Sequence, residues 1–215
     1  LLLTHCGARP THVADAWAVY AERFVSGGRV IDRDNGDITH SEGQGYGMLF
    51  ASAAADRDAF ERIWEWTQRT LGRDDGLFSW RFRPCPAMDR SCVDDPNNAS
   101  DGDLLIAWAL LRASERWNRP RWEAQARHIL DRVGERLLRE DHGYLFLLPG
   151  LEGFVESTDR GSSYIINPSY YIFPALRDFA AQTQDPRWDR LRVDGERLLR
   201  ASRFGELRLH PDWLR

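Results

Sequence analysis

Ala99-Ser100-Asp101-Gly102-Asp103-Leu104-Leu105-Ile106-Ala107-Trp108-Ala109-Leu110-Leu111 sets two acids and a glycine before a run that is apolar on nearly every side. A surface helix keeps one polar face; a helix apolar all round is buried on most sides. The stretch therefore predicts a central helix wrapped by others. Burying it brings Asp101 and Asp103 to the rim of the core, at the helix N-terminus.

Outward from that helix the chain reads as more helices. Val13, Trp17, Tyr20 and Phe24 recur at helical spacing and predict a helix over 11–25, stopped by Gly27-Gly28. Residues 29–38 read as an extended segment, a turn at Asn35-Gly36 and a return. A second helix runs to Ala55. A third spans 57–71 with Phe60, Ile63, Trp64 and Thr67 on one face. Residues 74–82 look strand-like, with a turn at Asp75-Gly76, and a cysteine-bearing loop continues to Asn98. A fifth helix is expected over 121–139 and a strand-like run over 144–150. A sixth helix opens at Asn167 and ends near Ala181, and a seventh covers 186–201. Long loops alternate with short ones such as Trp117-Asn118-Arg119-Pro120. That pattern suits antiparallel helical hairpins whose long loops gather at one end. Strand and helix do not alternate, so a parallel α/β sheet is not expected, and the class is all-α.

The stretch His40-Ser41-Glu42-Gly43-Gln44-Gly45-Tyr46-Gly47-Met48 opens the second helix. Its three glycines bare the backbone to close approach by another group. Ser41 is the expected N-cap, which puts Glu42 in the first turn, where the helix dipole favours the anion. Glu42 reads either as a first-turn acid of no further consequence or as a catalytic acid.

Composition narrows the class. The 215 residues carry a net charge of −4, so no basic face invites nucleic acid. No stretch is long and apolar enough to span a membrane. The nine tryptophans exceed what a core of this size needs, and many adjoin Arg, Asp or Glu. Most are expected as half-buried helix residues and a few as stacking platforms. Cys85 and Cys92 are seven apart in a Pro-rich loop and read as a disulfide or as two free thiols, with Cys6 left over. The opening Leu1-Leu2-Leu3 resembles the trimmed end of a signal peptide, so residues 1–10 are expected to be a leader remnant or linker.

Two acidic centres remain for chemistry: Glu42, and Asp101 with Asp103. Ser162, Ser163 and Ser169 lack an evident histidine base. No His, Cys and carboxylate cluster has metal spacing, and no phosphate-binding glycine loop is present, so neither metal nor cofactor is expected. Carboxylates, aromatics and amides together are what sugar chemistry uses. Asp101 and Asp103 read also as simple caps of a buried helix. Trp80, Tyr170 and Tyr46 each read as a sugar platform or as core.

Residues 99–117 resemble the signature of glycoside hydrolase family 8: Ala, Ser or Thr, Asp, Ala or Gly, Asp, then a buried helix ending in an aromatic. Ser41–Met48 is similar to the family's second landmark, which carries the proton donor, and Asn167-Pro168-Ser169-Tyr170 to a third. The likeness runs from about Trp17 to the end and is nearest to the periplasmic endoglucanases of bacterial cellulose-synthesis operons. It implies a barrel of six helical hairpins, the (α/α)6 barrel, of which about seven of twelve helices fall in these residues. Residues 11–215 would then be the N-terminal part of the catalytic domain. The implied activity is inverting endo-β-1,4-glucan hydrolysis by a secreted or periplasmic monomer. Glu42 is the implied general acid, and Asp101 holds the sugar or its attacking water. Gln44, Tyr46, Trp80, Asp103, Asn167 and Tyr170 are the implied substrate contacts. The family's base is an aspartate in a Tyr-Asp-Ala-like stretch further along than this sequence reaches. The alternatives are a polysaccharide-binding subunit without catalysis, and a chitosanase or xylanase of the same family.

Overall fold

The computed structural model describes residues 12–159 and 161–215, so the expected leader remnant and Cys6 lie outside the described residues. A helix with no polar face needs neighbours all round, and α4 (Ser100–Trp117) has them. It packs against α2 (Ser41–Ala53), α5 (Pro120–Arg136) and α6 (Phe173–Thr183). Leu104, Ile106, Leu110 and Leu111 are fully buried. Each such side chain stabilises the fold by about 1.5–3 kcal/mol relative to exposure. Outside this layer lie α1 (His12–Phe24), α3 (Arg57–Leu71) and α7 (Pro186–Ala201). The expected all-α class holds, and apart from the start of α6 the helix bounds fall within a few residues of the expected ones.

Helices α2–α3, α4–α5 and α6–α7 form three hairpins joined by the short connections 54–56, 118–119 and 184–185. Asn118 and Gln184 close two of them in the left-handed conformation, at φ 51° and 59°. The long connections 25–40, 72–99 and 137–172 precede α2, α4 and α6, so those helices begin at one end of the layer.

Small antiparallel sheets organise the long loops. β3 (Thr39–His40), β4 (Ser79–Phe82) and β5 (Val93–Asn98) pair in that order, with Thr39 opposite Phe82 and Ser79 opposite Asn98. β3 runs straight into α2 and β5 almost straight into α4, so this sheet delivers both helix starts side by side. The cysteine loop is therefore more ordered than its sequence suggested. Cys85 and Cys92 form a disulfide with Cα atoms 5.5 Å apart. Arg81 and Arg83 each reach Asp94 at 2.9 Å. β6 (Leu138–Asp141) pairs with β7 (Tyr144–Leu147), and β8 (Val155–Thr158) with β9 (Gly161–Tyr164).

Three details depart from expectation. The hairpin in the first long loop turns at Gly27-Gly28, joining β1 (Val25–Ser26) to β2 (Arg29–Val30). Both glycines have positive φ, 59° and 85°, as two-residue hairpin turns favour. The segment around Asn35-Gly36 is a 3-10 turn closed by one bridge, Asp32 to Ile38. Asn167 opens a 3-10 turn over Pro168–Tyr170, and α6 starts only at Phe173. Trp17, Trp64, Trp66, Trp122 and Trp188 are buried core rather than half-exposed. Phe60, Trp117 and Trp122 form one aromatic cluster joining α3, α4 and α5, with centroids 5.0–5.8 Å apart.

Candidate active site

The two predicted acidic centres meet because the backbones of α2 and α4 nearly touch. A Cβ on Gly102 would lie 2.1 Å from Ser41 Oγ and 2.9 Å from the Glu42 nitrogen. A Cβ on Gly45 would lie 2.5 Å from Leu105 Cβ and 3.1 Å from the Ile106 nitrogen. Both contacts advance along the two helices together, so α2 and α4 run parallel and both N-termini point the same way. Gly47 gives the same freedom to Val30, whose Cγ2 would be 2.5 Å from an added Cβ. The glycines of residues 43–47 thus admit three different neighbours: His40 at Gly43, α4 at Gly45 and β2 at Gly47.

Glu42 and Asp101 sit in the first turns of these helices with different solvation. The Glu42 side chain is 42% exposed. Asp101 is 7% exposed, and its Oδ1 accepts the Gly102 N–H at 2.8 Å. Burial first, and the Glu42 charge second, push the Asp101 carboxyl up to about 7. Near neutral pH it therefore shares its time between donor and acceptor forms, while Glu42 faces solvent. The hydroxyls of Tyr46 and Tyr170 are both raised by burial and by the charges of Glu42 and Asp101, which places these rings at the same spot. Tyr46 is exposed and stacks on Phe50 at 5.9 Å. A cavity of about 350 Å³ opens beside Glu42, lined among others by Tyr20, Asp32, His40, Tyr46 and Phe50.

The expected N-cap is displaced by one residue. His40 takes that position, and its Nδ1 accepts the Gly43 N–H at 3.0 Å. Ser41 is the first helical residue, and its buried hydroxyl has no protein partner; the same holds for Ser100 at the start of α4.

The other expected contacts divide. Gln44 is fully buried, and the fold engages both ends of its amide. Its Oε1 accepts from the Val30 nitrogen at 2.6 Å, and its Nε2 donates to Gly28 O at 3.0 Å and Thr67 Oγ1 at 2.8 Å. It ties the first long loop to α2 and α3 and does not face the cleft. Asp103 is buried likewise. Its two oxygens accept from the Phe78 N–H at 2.9 Å and Asn98 Nδ2 at 2.7 Å, anchoring the second long loop. Burial pushes its carboxyl up to about 7, against those two donors. Asn167 is buried, and its Oδ1 accepts from the backbone and hydroxyl of Ser169, shaping the turn that presents Tyr170. Trp80 is half-buried on β4, with the Arg81 guanidinium 4.6 Å over its ring, and it does not line the cavity beside Glu42. Sequence reasoning passed over His40, Asp32 and Asn98. A histidine directly before Ser-Glu-Gly was the visible signal for the first.

Acid–base work at a glycosidic bond uses a pair of carboxyls, and these two helix ends bring such a pair together in different solvation. Compared with known proteins, the chain belongs to glycosyl hydrolases family 8, matched over residues 1–215. It is 44% identical over 207 residues to a probable endoglucanase of Novacetimonas hansenii, covering 95% of this chain and 58% of that protein. It is 42% identical to an endoglucanase of Cellulomonas uda, covering 93% of this chain and 54% of that one. The solved structure of an endo-beta-1,4-glucanase from Acetobacter xylinum superposes with a TM-score of 0.87 at 43% identity, over 96% of this chain and 63% of that chain. The chain thus spans less than two thirds of the length of these relatives. Its three hairpins follow the order of the family's (α/α)6 barrel. No helix among the described residues is long and apolar enough to cross a membrane.

Proposed function

We propose that the protein carrying this chain is an endo-β-1,4-glucanase that cleaves with inversion. The observation that carries the reading is the meeting of Glu42 and Asp101 at abutting helix starts, one open to solvent and one buried with its carboxyl raised to about 7. The raised carboxyl is that of Asp101, so the electrostatics of the pair do not choose the acid; the family motif around Glu42 and its exposure do, and on them Glu42 protonates the leaving oxygen. Asp101 holds a sugar hydroxyl or the attacking water, for which a carboxyl near half-protonation is suited as both donor and acceptor. Tyr46, Tyr170 and Trp80 offer flat surfaces to pyranose rings. By the family resemblance, the general base belongs to the part of the relatives that these residues do not span. Residues 11–215 are then the N-terminal part of the catalytic domain. The Cys85–Cys92 disulfide supports an oxidising, extracytoplasmic setting. A monomer acting beside cellulose synthesis completes the reading, on the motif resemblance alone.

Turnover of soluble carboxymethyl-cellulose by the full-length protein tests this. A fast fall in viscosity with few new reducing ends is expected, with the α-anomer as first product. Faster turnover of chitosan or xylan would reassign the substrate, and a β-anomer would make Asp101 a nucleophile.

A further inference from the structure

We propose that His40 is a positioning residue for Glu42, its Nδ1 capping the first turn of α2 as a hydrogen-bond acceptor. This rests on the glucanase reading for its kinetic consequence but not for its geometry. Nδ1 accepts the Gly43 N–H at 3.0 Å, so it carries a lone pair there and the ring proton sits on Nε2. Nε2 faces Asp32 Oδ2 at 3.8 Å. Nδ1 also lies 3.8 Å from Glu42 Oε2. With its lone pair given to Gly43, that second approach is packing and field rather than an ion pair. The ring lies flat on the first turn of α2: a Cβ on Gly43 would be 3.2 Å from His40 Cε1 and 3.4 Å from Nδ1. The bare backbone at position 43 lets the imidazole reach past it to the Glu42 carboxyl.

The charged and titratable groups around the ring come from each neighbouring element. Asp32 comes from the first loop and Glu42 from α2. Arg81 is the cross-strand partner of His40 on β4, and Asp101 on α4 interacts with Glu42. Arg81 is already engaged by Asp94 at 2.9 Å. Protonating His40 would remove the acceptor for Gly43 and set a cation at the positive end of the α2 dipole. The cap to Gly43 holds the ring against the first turn of α2, and its edge stands 3.8 Å from the Glu42 carboxyl.

The test uses the full-length protein and its His40→Ala and His40→Asn variants. Nitrogen-15 NMR of the imidazole should show the Nε2–H tautomer at neutral pH, and a proton on Nδ1 would overturn the proposal whatever the protein hydrolyses. On carboxymethyl-cellulose, His40→Ala should lose about tenfold in kcat with KM within about twofold, because the acid is misplaced while the cleft is kept. His40→Asn supplies an amide oxygen to the Gly43 N–H and should recover most of kcat. A kcat in His40→Ala like that of wild type, or a loss that Asn does not rescue, would sink the role. Where His40→Ala does not fold, His40→Asn and the NMR tautomer decide alone. A wild-type protein inactive on glucan, with the Nε2–H tautomer in place, would sink the glucanase reading and the kinetic role, and leave the cap.

Discussion

The starts of α2 and α4 present the same backbone in two environments. Each is a parallel helix N-terminus with an acid in its first turn, and each dipole favours the anion equally. One start is capped by a side chain, His40, and leaves Glu42 partly in water. The other has no side-chain cap and sinks Asp101 into the core. Solvation therefore outweighs the dipole: burial raises Asp101 to about 7 in spite of the helix end and the Gly102 N–H. Two first-turn acids differ in their environment because one lies beside a cavity and the other is almost wholly withdrawn from water.

The largest effect should come from the exposed start. Glu42→Gln in the full-length protein should lower kcat by about 10²–10⁴-fold while cello-oligosaccharide binding persists. Near-normal turnover by that variant would make the two starts equivalent and the contrast empty. At the buried start, Asp101→Asn should change the pH dependence of stability. The Asp101 carboxyl is raised from 3.8 to about 7, so the folded chain keeps a proton that the unfolded chain releases between those values. Its contribution to stability is thus lost as pH rises through that window. Removing the charge should flatten the slope and add up to roughly 4 kcal/mol above about pH 7. Urea titrations at about pH 5 and about pH 7.5 check it, and an unchanged slope would mean that Asp101 is better solvated than its burial indicates.

Smaller effects probe what holds the two starts together. Gly45→Ala drives a methyl against Leu105 and should destabilise by about 1–3 kcal/mol, with activity falling as the acids part. A thermal melt paired with an assay reads both, and a silent substitution would show that the helices can separate freely. Ser41→Ala removes a buried hydroxyl that has no protein partner and should shift stability by less than about 1 kcal/mol. A larger loss would reveal a bound water or ligand there.

These contrasts also mark what the sequence made legible. The burial of α4 followed from Leu104 to Leu111, because a helix apolar all round has only one home. The third helix ended where its pattern ended, at Leu71. Gln44 misled because its partners, Gly28, Val30 and Thr67, are distant in sequence, and nothing local says that an amide between glycines is already fully engaged. Asp103 was legible as an acid at the start of a buried helix but not by its partners, Phe78 and Asn98, which lie on a stretch that the chain shows only as a polar, proline-bearing loop. β5 and the β8–β9 hairpin escaped because residues such as Asp94-Asp95-Pro96 and Ser162-Ser163 lack apolar alternation. His40 escaped because caps are sought among serine, threonine, aspartate and asparagine, and Ser41 stood next to it.

The near-contact of α2 and α4 has a consequence for how this site changes over time. Where side chains separate two helices, any core substitution acts as a shim and resets the gap. Here glycine backbones meet other atoms directly at positions 45 and 102, so little remains between the helices to swap. The separation of Glu42 and Asp101 behaves as a fixed gauge, insulated from drift in the surrounding core. Variation in what this cleft accepts then has to come from the strands and loops that carry Trp80 and Tyr170, and a library built to retarget it belongs there.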